Sequence, residues 1–192
     1  MKKITAALVL TCTAGLVIGL AVPAQATSPA TNGGGVFHRE HRTVYVENHA
    51  PFFPVYWAVK ALRAYYPGVD VHYGACRTGA SCSKVYQAHR ARHADPGQTY
   101  FSVVYVCSGG ICTKTNIIGG ATKTVFDLDF PWSAHDRMQA TMHEVLTMVG
   151  LAYRYLYWQG SALYRYLSRT CSYRPAWLDI YRLRQVYAGM PK

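Results

Sequence analysis

Acidic residues are scarce in this chain: 9 Asp and Glu stand against 20 Lys and Arg in 192 residues. With Lys2 and Lys3 set aside as part of a leading segment, 18 basic residues face the same 9 acids, a formal charge of about +9. Such a balance favours contact with anionic surfaces such as cell-wall polymers, nucleic acid or acidic proteins, and leaves the fold open. Long apolar runs are missing after residue 22, so no later segment is suited to crossing a bilayer. Length is short as well, since the roughly 166 residues beyond the leading segment suit one domain with a real core and not two. Cysteine pairing is incomplete: beyond Cys12 there are Cys76, Cys82, Cys107, Cys112 and Cys171. In an exported chain the close pairs Cys76/Cys82 and Cys107/Cys112 suggest two small-loop disulfides. Four cysteines allow three connectivities, however, and Cys171 is left over.

What is present begins with a leading segment. Lys2 and Lys3, an apolar run from Ile4 to Val22 and Ala24-Gln25-Ala26 describe a secretory signal peptide over residues 1–26, cleaved after Ala26, and so a secreted protein with no transmembrane anchor after processing. Residues 27–41 are small, polar and glycine-rich and read as a flexible leader, with order starting near Arg42 in a single domain over 42–192. Thr43 to Glu47 is β-branched and aromatic, a first strand. Pro54 suits the first turn of a helix to about Tyr66, with Val55, Ala58, Ala61, Leu62 and Tyr65 on its inner face. Val69 to Tyr73 is a second strand, so the chain opens as a βαβ unit, and a parallel or mixed sheet follows.

Lys84 to Ala88 reads as a short strand, and His89, Arg90, Arg92 and His93 as a basic cluster whose plainest role is a solvated loop face. Tyr100 to Cys107 and Ile111 to Thr115 resemble a hairpin; after Gly119-Gly120, Lys123 to Asp129 is read as a separate strand. Ser133 then caps a helix with Asp136 three residues on. Met138, Met142, Val145, Leu146 and Val149 recur at helical spacing as its buried face. From Tyr153 onward 8 tyrosines and 7 basic residues accompany one acid, Asp179, a surface suited to polyanions or to a small amphipathic core. A last helix starts at Pro175, with Ala176, Ile180, Leu183 and Tyr187 inward.

The central helix carries the chemistry. His143-Glu144-Val145-Leu146-Thr147-Met148-Val149-Gly150-Leu151 has the outline H-E-x-x-H-x-x-G-L of a zinc-protease helix, with threonine at the second histidine. In such a helix two histidines four apart hold zinc from one face, and the glutamate activates the bound water. The order of elements around it resembles the catalytic domain of metzincin metallopeptidases, closest to small secreted bacterial matrixin-like or snapalysin-like proteins. The resemblance implies an α/β (α+β), zincin-like fold: a mixed, mostly parallel twisted sheet with a backing helix, an active-site helix and a C-terminal helix. It further implies that a strand such as Thr124 to Asp129 borders the cleft and pairs with extended substrate, and that Cys171-Ser172-Tyr173 stands where the family has its Met-turn.

Carried across residue by residue, His143 matches the first metal ligand, Glu144 the general base and Tyr173 the tyrosine near the metal. Thr147 and Tyr153 replace the other two ligands, and Cys171 the methionine. Zinc catalysis needs three protein ligands and an open position, and a neutral threonine hydroxyl is a poor substitute for imidazole. His135, eight residues before His143, lies about 12 Å away along the helix axis, too far to share a metal. The ligand count therefore points to a chain without zinc, a degenerate metallopeptidase whose cleft binds a peptide or protein. Two alternatives stand beside it: a zinc metalloendopeptidase rebuilt around Cys171 or a tyrosine, and a cationic protein that binds anionic cell-wall polymers.

Overall fold

Strand, helix and strand at the start of the chain pair as the sequence pattern predicts. In a computed structural model, which describes residues 37–90, 96–108, 110–151, 174–188 and 190, β2 (Thr43–His49) lies parallel to β3 (Asp70–Tyr73), with α1 (Val55–Tyr65) as the crossover between them. Val44 and Val46 of β2 and Val71 of β3 are buried and face α1, whose Val55, Ala58, Val59 and Leu62 complete that layer. The expected inner face shifts at its end. Tyr65 is exposed, and Tyr66 takes the interior place by folding its ring over Gly68, where a Cβ would stand 2.3 Å from the ring.

The sheet grows outward from β2. β4 (Ser81–Ala88) pairs parallel with β2, β6 (Ile111–Asp127) pairs parallel with β4, and β5 (Gly97–Ser108) pairs antiparallel with β6. A short β1 (His38–Arg39) joins β6 at Ile117 and Ile118. The result is a mixed, mostly parallel sheet with β5 along one margin and β3 along the other. Helices α1, α2 (Ala134–Met148) and α3 (Trp177–Tyr187) contribute to a single core with its inner face. Ser133 and Asp136 form the expected capping box at the start of α2, with the Asp136 N–H donating to Ser133 Oγ at 3.0 Å. Among the described residues no helix is long and apolar enough to cross a membrane. Cys76 is bonded to Cys82 and Cys107 to Cys112, which selects one of the three connectivities.

Two expectations change. Gly119 and Gly120 do not separate a hairpin from a later strand; β6 runs through them without a break. The physical reason is a bulge: pairing jumps from Tyr100↔Lys123 to Ser102↔Gly119, and Gly120 at φ 65° absorbs the extra residues in the left-handed region that glycine tolerates. In consequence Thr124 to Asp127 lies inside the sheet, between β4 and β5, and the strand at the margin is β5.

The start of order also moves. Phe37 and Arg39, within the stretch read as a leader, are buried. The Phe37 N–H donates to the Gly150 carbonyl at 2.8 Å, and a Cβ on Gly150 (φ 108°) would stand 1.9 Å from the Phe37 carbonyl oxygen. Arg39 sends Nη2 to the carbonyls of Cys82 and Gly120, both at 2.9 Å. Tyr187 of α3 closes the group: its hydroxyl donates to the Val149 carbonyl at 2.8 Å and accepts from the Arg39 N–H at 3.2 Å. Burial lowers the Arg39 pKa to about 10, with Tyr187 and Glu40 acting against the shift, and burial raises that of Tyr187.

Gly150→Ala is expected to cost at least about 2 kcal/mol, since it meets both an unfavourable φ and the Phe37 backbone. Urea denaturation checks this, and a loss under about 0.5 kcal/mol would rule out the close approach. Tyr187→Phe leaves a buried carbonyl and N–H unsatisfied, and should cost about 1–3 kcal/mol by the same measurement.

Candidate functional site: the His143–Glu144 helix and the strand it faces

Helix α2 ends where the sequence motif places its end. Val149 caps it, the Gly150 N–H donates to the Thr147 carbonyl at 3.0 Å, and Leu151 turns away. Met142, Val145, Leu146 and Val149 are buried as expected, with Met138 only partly so. His143 is half-buried and the adjacent Glu144 is buried, 6 % exposed. Successive helical residues point about 100° apart, so the pair cannot share one direction.

Glu144 points at the margin of the sheet. Thr99 of β5 donates its hydroxyl to Glu144 Oε2 at 2.5 Å, and Thr99 Oγ1 in turn lies 2.5 Å from Thr124 Oγ1, its cross-strand partner in β6. All three side chains are buried. Gly97 leaves the space for this arrangement, since a Cβ there would stand 3.4 Å from Glu144 Cγ and 2.9 Å from the Phe126 ring. Phe126 belongs to an aromatic group with Phe53, stacked at 4.0 Å, and Trp132, edge-on to Phe53 at 5.0 Å. Removal from water drives the Glu144 pKa up to about 7, and the hydrogen bond from Thr99 opposes the shift.

Thr147, at the position of the second metal ligand, spends its hydroxyl locally by donating to the His143 carbonyl at 3.0 Å. This is the back-bond that threonine commonly makes to the preceding helical turn. A resident zinc ion fits these residues poorly. Among the described residues no three His, Cys, Asp or Glu side chains come together as a metal-binding group, and His143 supplies one imidazole beside a carboxyl already held by Thr99. Tyr153, Cys171 and Tyr173 lie outside the described residues. So does most of the Arg/Tyr-rich stretch beyond Tyr153.

Of the basic cluster, His89 Nδ1 meets Asp129 Oδ1 at 2.6 Å, a contact that raises the His89 pKa, and the Arg90 N–H donates to Asp127 at 3.2 Å; Arg92 and His93 also lie outside the described residues. Sequence reasoning missed Thr99, Thr124 and Gly97. The first falls just before the strand that the pattern starts at Tyr100, and a pair of threonines on neighbouring strands carries no local motif. Comparison with protein families and with curated proteins returns no match for this chain.

Glu144 makes stability depend on pH. Its folded-state value of about 7 lies above the ordinary 4.5, so between those values the folded protein holds a proton that the unfolded chain releases. The stabilisation is fully present below pH 4.5 and is lost as pH rises through 7, a difference on the order of 3 kcal/mol. Glu144→Gln should flatten the slope of stability across that range and be more stable than the wild type above it. Parallel pH profiles for the two proteins would remove Glu144 as the origin.

Proposed function

We propose that this protein is a metallopeptidase-like scaffold that holds an extended peptide beside its central helix without hydrolysing it. The observation that carries the reading is the hydrogen bond from Thr99 to Glu144. In the resembled enzymes the glutamate of this motif must face a metal-bound water; here the carboxyl is buried and accepts from the Thr99 hydroxyl, which in turn meets Thr124, and its burial raises the pKa. A carboxyl buried to this degree and hydrogen-bonded to Thr99 through Oε2 is turned into the protein toward β5, away from a water in an open cleft. Thr147 reinforces this, with its hydroxyl turned back onto the helix.

The zincin-like form of the fold belongs to the same proposal. Its support is the mixed, mostly parallel sheet with α1 behind it, α2 carrying the motif and α3 closing the core. The binding role draws on β5. This strand pairs with β6 along one side only among the described residues, and a strand with an open side can take up an extended peptide through main-chain hydrogen bonds. Export through the leading segment, together with two disulfides, suits a partner met outside the cell.

Two measurements on the purified protein test this. Elemental analysis of wild type and His143→Ala should give no stoichiometric zinc in either. Unfolded casein should co-elute with the wild type and remain intact. Zinc lost in His143→Ala, with casein cleavage that chelators and Glu144→Gln both abolish, would overturn the scaffold reading in favour of a rebuilt metalloendopeptidase. Failure of casein to co-elute would remove the binding role.

A further inference from the structure

The margin of the sheet opposite β5 has a different chemistry. Between α1 and β3 lies a pocket of about 330 Å³ lined by Tyr56, Val59, Lys60, Arg63, His72 and Tyr73. Two cations, one imidazole and two phenols supply its polar groups, and no carboxylate lines it. Lys60 and Arg63 stand one turn apart on the exposed side of α1, and neither forms an ion pair with an acid among the described residues. Asp70, whose pKa is lowered chiefly by His72 and also by Arg63, is already engaged by His72 Nε2 at 2.8 Å and by the Thr43 hydroxyl at 3.2 Å. Tyr56 and Tyr73 are exposed and meet edge to face, centroids 5.4 Å apart at 84°, so that their rings form an open corner in the same pocket as the two cations.

The charge continues from this pocket across the face of the sheet that points away from the described helices. Val44 and Val46 of β2 point into the core, so Tyr45, Glu47 and His49 point to the other side. There His72 stacks on Tyr45 at 5.0 Å, with the Arg77 guanidinium 5.1 Å from the Tyr45 ring. The arrangement repeats one strand further along the sheet, where His49 of β2 stacks on Tyr86 of β4 at 5.0 Å and Lys123 lies 5.5 Å from that ring. Lys84 adds another cation, and Glu47, the acid it meets at 3.8 Å, is also held by His49 at 2.7 Å and by the Cys76 N–H at 3.2 Å.

We propose that the α1–β3 pocket and the sheet face beside it bind an anionic polysaccharide. A sugar ring packs its apolar face into the Tyr56/Tyr73 corner, its carboxylate or phosphate rests on Lys60 and Arg63, and further acidic units follow Arg77, Lys84 and Lys123. A sugar polymer is favoured over a single-stranded nucleic acid by the state of the rings. Nucleobases need free aromatic faces to stack on, and those of Tyr45, His72, Tyr86 and His49 are turned on one another or covered by cations. Phosphate-backbone affinity alone would not require the open tyrosine corner. This site lies on the margin away from β5 and stands or falls independently of the peptide groove.

Calorimetric titration of the purified protein tests it, with oligogalacturonate as the carboxylate sugar, phosphomannan as the phosphate sugar, and neutral dextran and oligothymidylate as comparisons. One or both acidic sugars should bind, more weakly as salt rises, with the tighter of the two identifying the acid group, and dextran should not. Lys60→Ala with Arg63→Ala should weaken binding about tenfold. Lys114→Ala with Arg184→Ala removes the same two charges from exposed positions elsewhere, and should change it less than about twofold. Absence of binding to both acidic sugars, oligothymidylate binding as tightly, or equal losses in the two double variants would each overturn the proposal.

Discussion

Phe37 reaches its place beside the central helix because residue 150 has no side chain. The Phe37 carbonyl occupies the space that any Cβ at Gly150 would need, and several other features follow from that approach. It sets β1 against β6, carries Arg39 into the interior and brings the Tyr187 hydroxyl within reach of both the incoming strand and the end of α2. Arg39 is the costly part. Its Nη2 is satisfied by two carbonyls, while Nε and Nη1 are buried without a hydrogen-bond partner. Taking a charge out of water costs several kcal/mol even after relaxation, a cost set against the burial of Phe37 and the hydrogen bonds of the segment to Gly150 and Tyr187.

The same helix decides what becomes of Glu144. A turn of α2 that packs Val145 and Leu146 into the core directs Glu144 toward β5, where Gly97 leaves room and the aromatic group around Phe126 excludes water. In that setting removal from water favours the carboxylic acid over the carboxylate, and the hydrogen bond donated by Thr99 offsets only part of that preference. Glu144 is thus part of a buried hydroxyl–carboxyl chain that joins the helix to the margin of the sheet. At the opposite margin, Lys60 and Arg63 are exposed beside open tyrosine rings and form no ion pair among the described residues. The two margins of one sheet therefore differ in chemistry: a strand paired on one side among the described residues at β5, and cations beside tyrosine rings at β3.

Much of the architecture was legible because it rests on local chemistry. Ser133 and Asp136 make a capping box from residues three apart, Pro54 and Gly68 bracket α1, and the paired cysteines are near enough in sequence to close small loops. The motif helix was legible too, down to its end at Gly150. The rest depended on partners distant in sequence. Tyr65 and Tyr66 are equally apolar neighbours, and only Gly68 and the carbonyl of Leu183 determine which ring turns inward. Gly119-Gly120 looked like a break because two glycines usually are one; inside a paired strand they make a bulge instead.

The sequence by itself determined a βαβ start, a capped central helix with His143 and Glu144 side by side, and the absence of a second histidine at Thr147, since each of these depends on spacing along a few turns of chain. Tertiary structure alone decided that Glu144 meets Thr99 across 45 residues of sequence, that Arg39 is buried, and that Lys60 and Arg63 overlook the tyrosine corner. Burial and desolvation are properties of what lies around a group. They set the protonation of Glu144 and the exposure of Lys60, and they come into being only when strands and helices far apart in the chain are packed together.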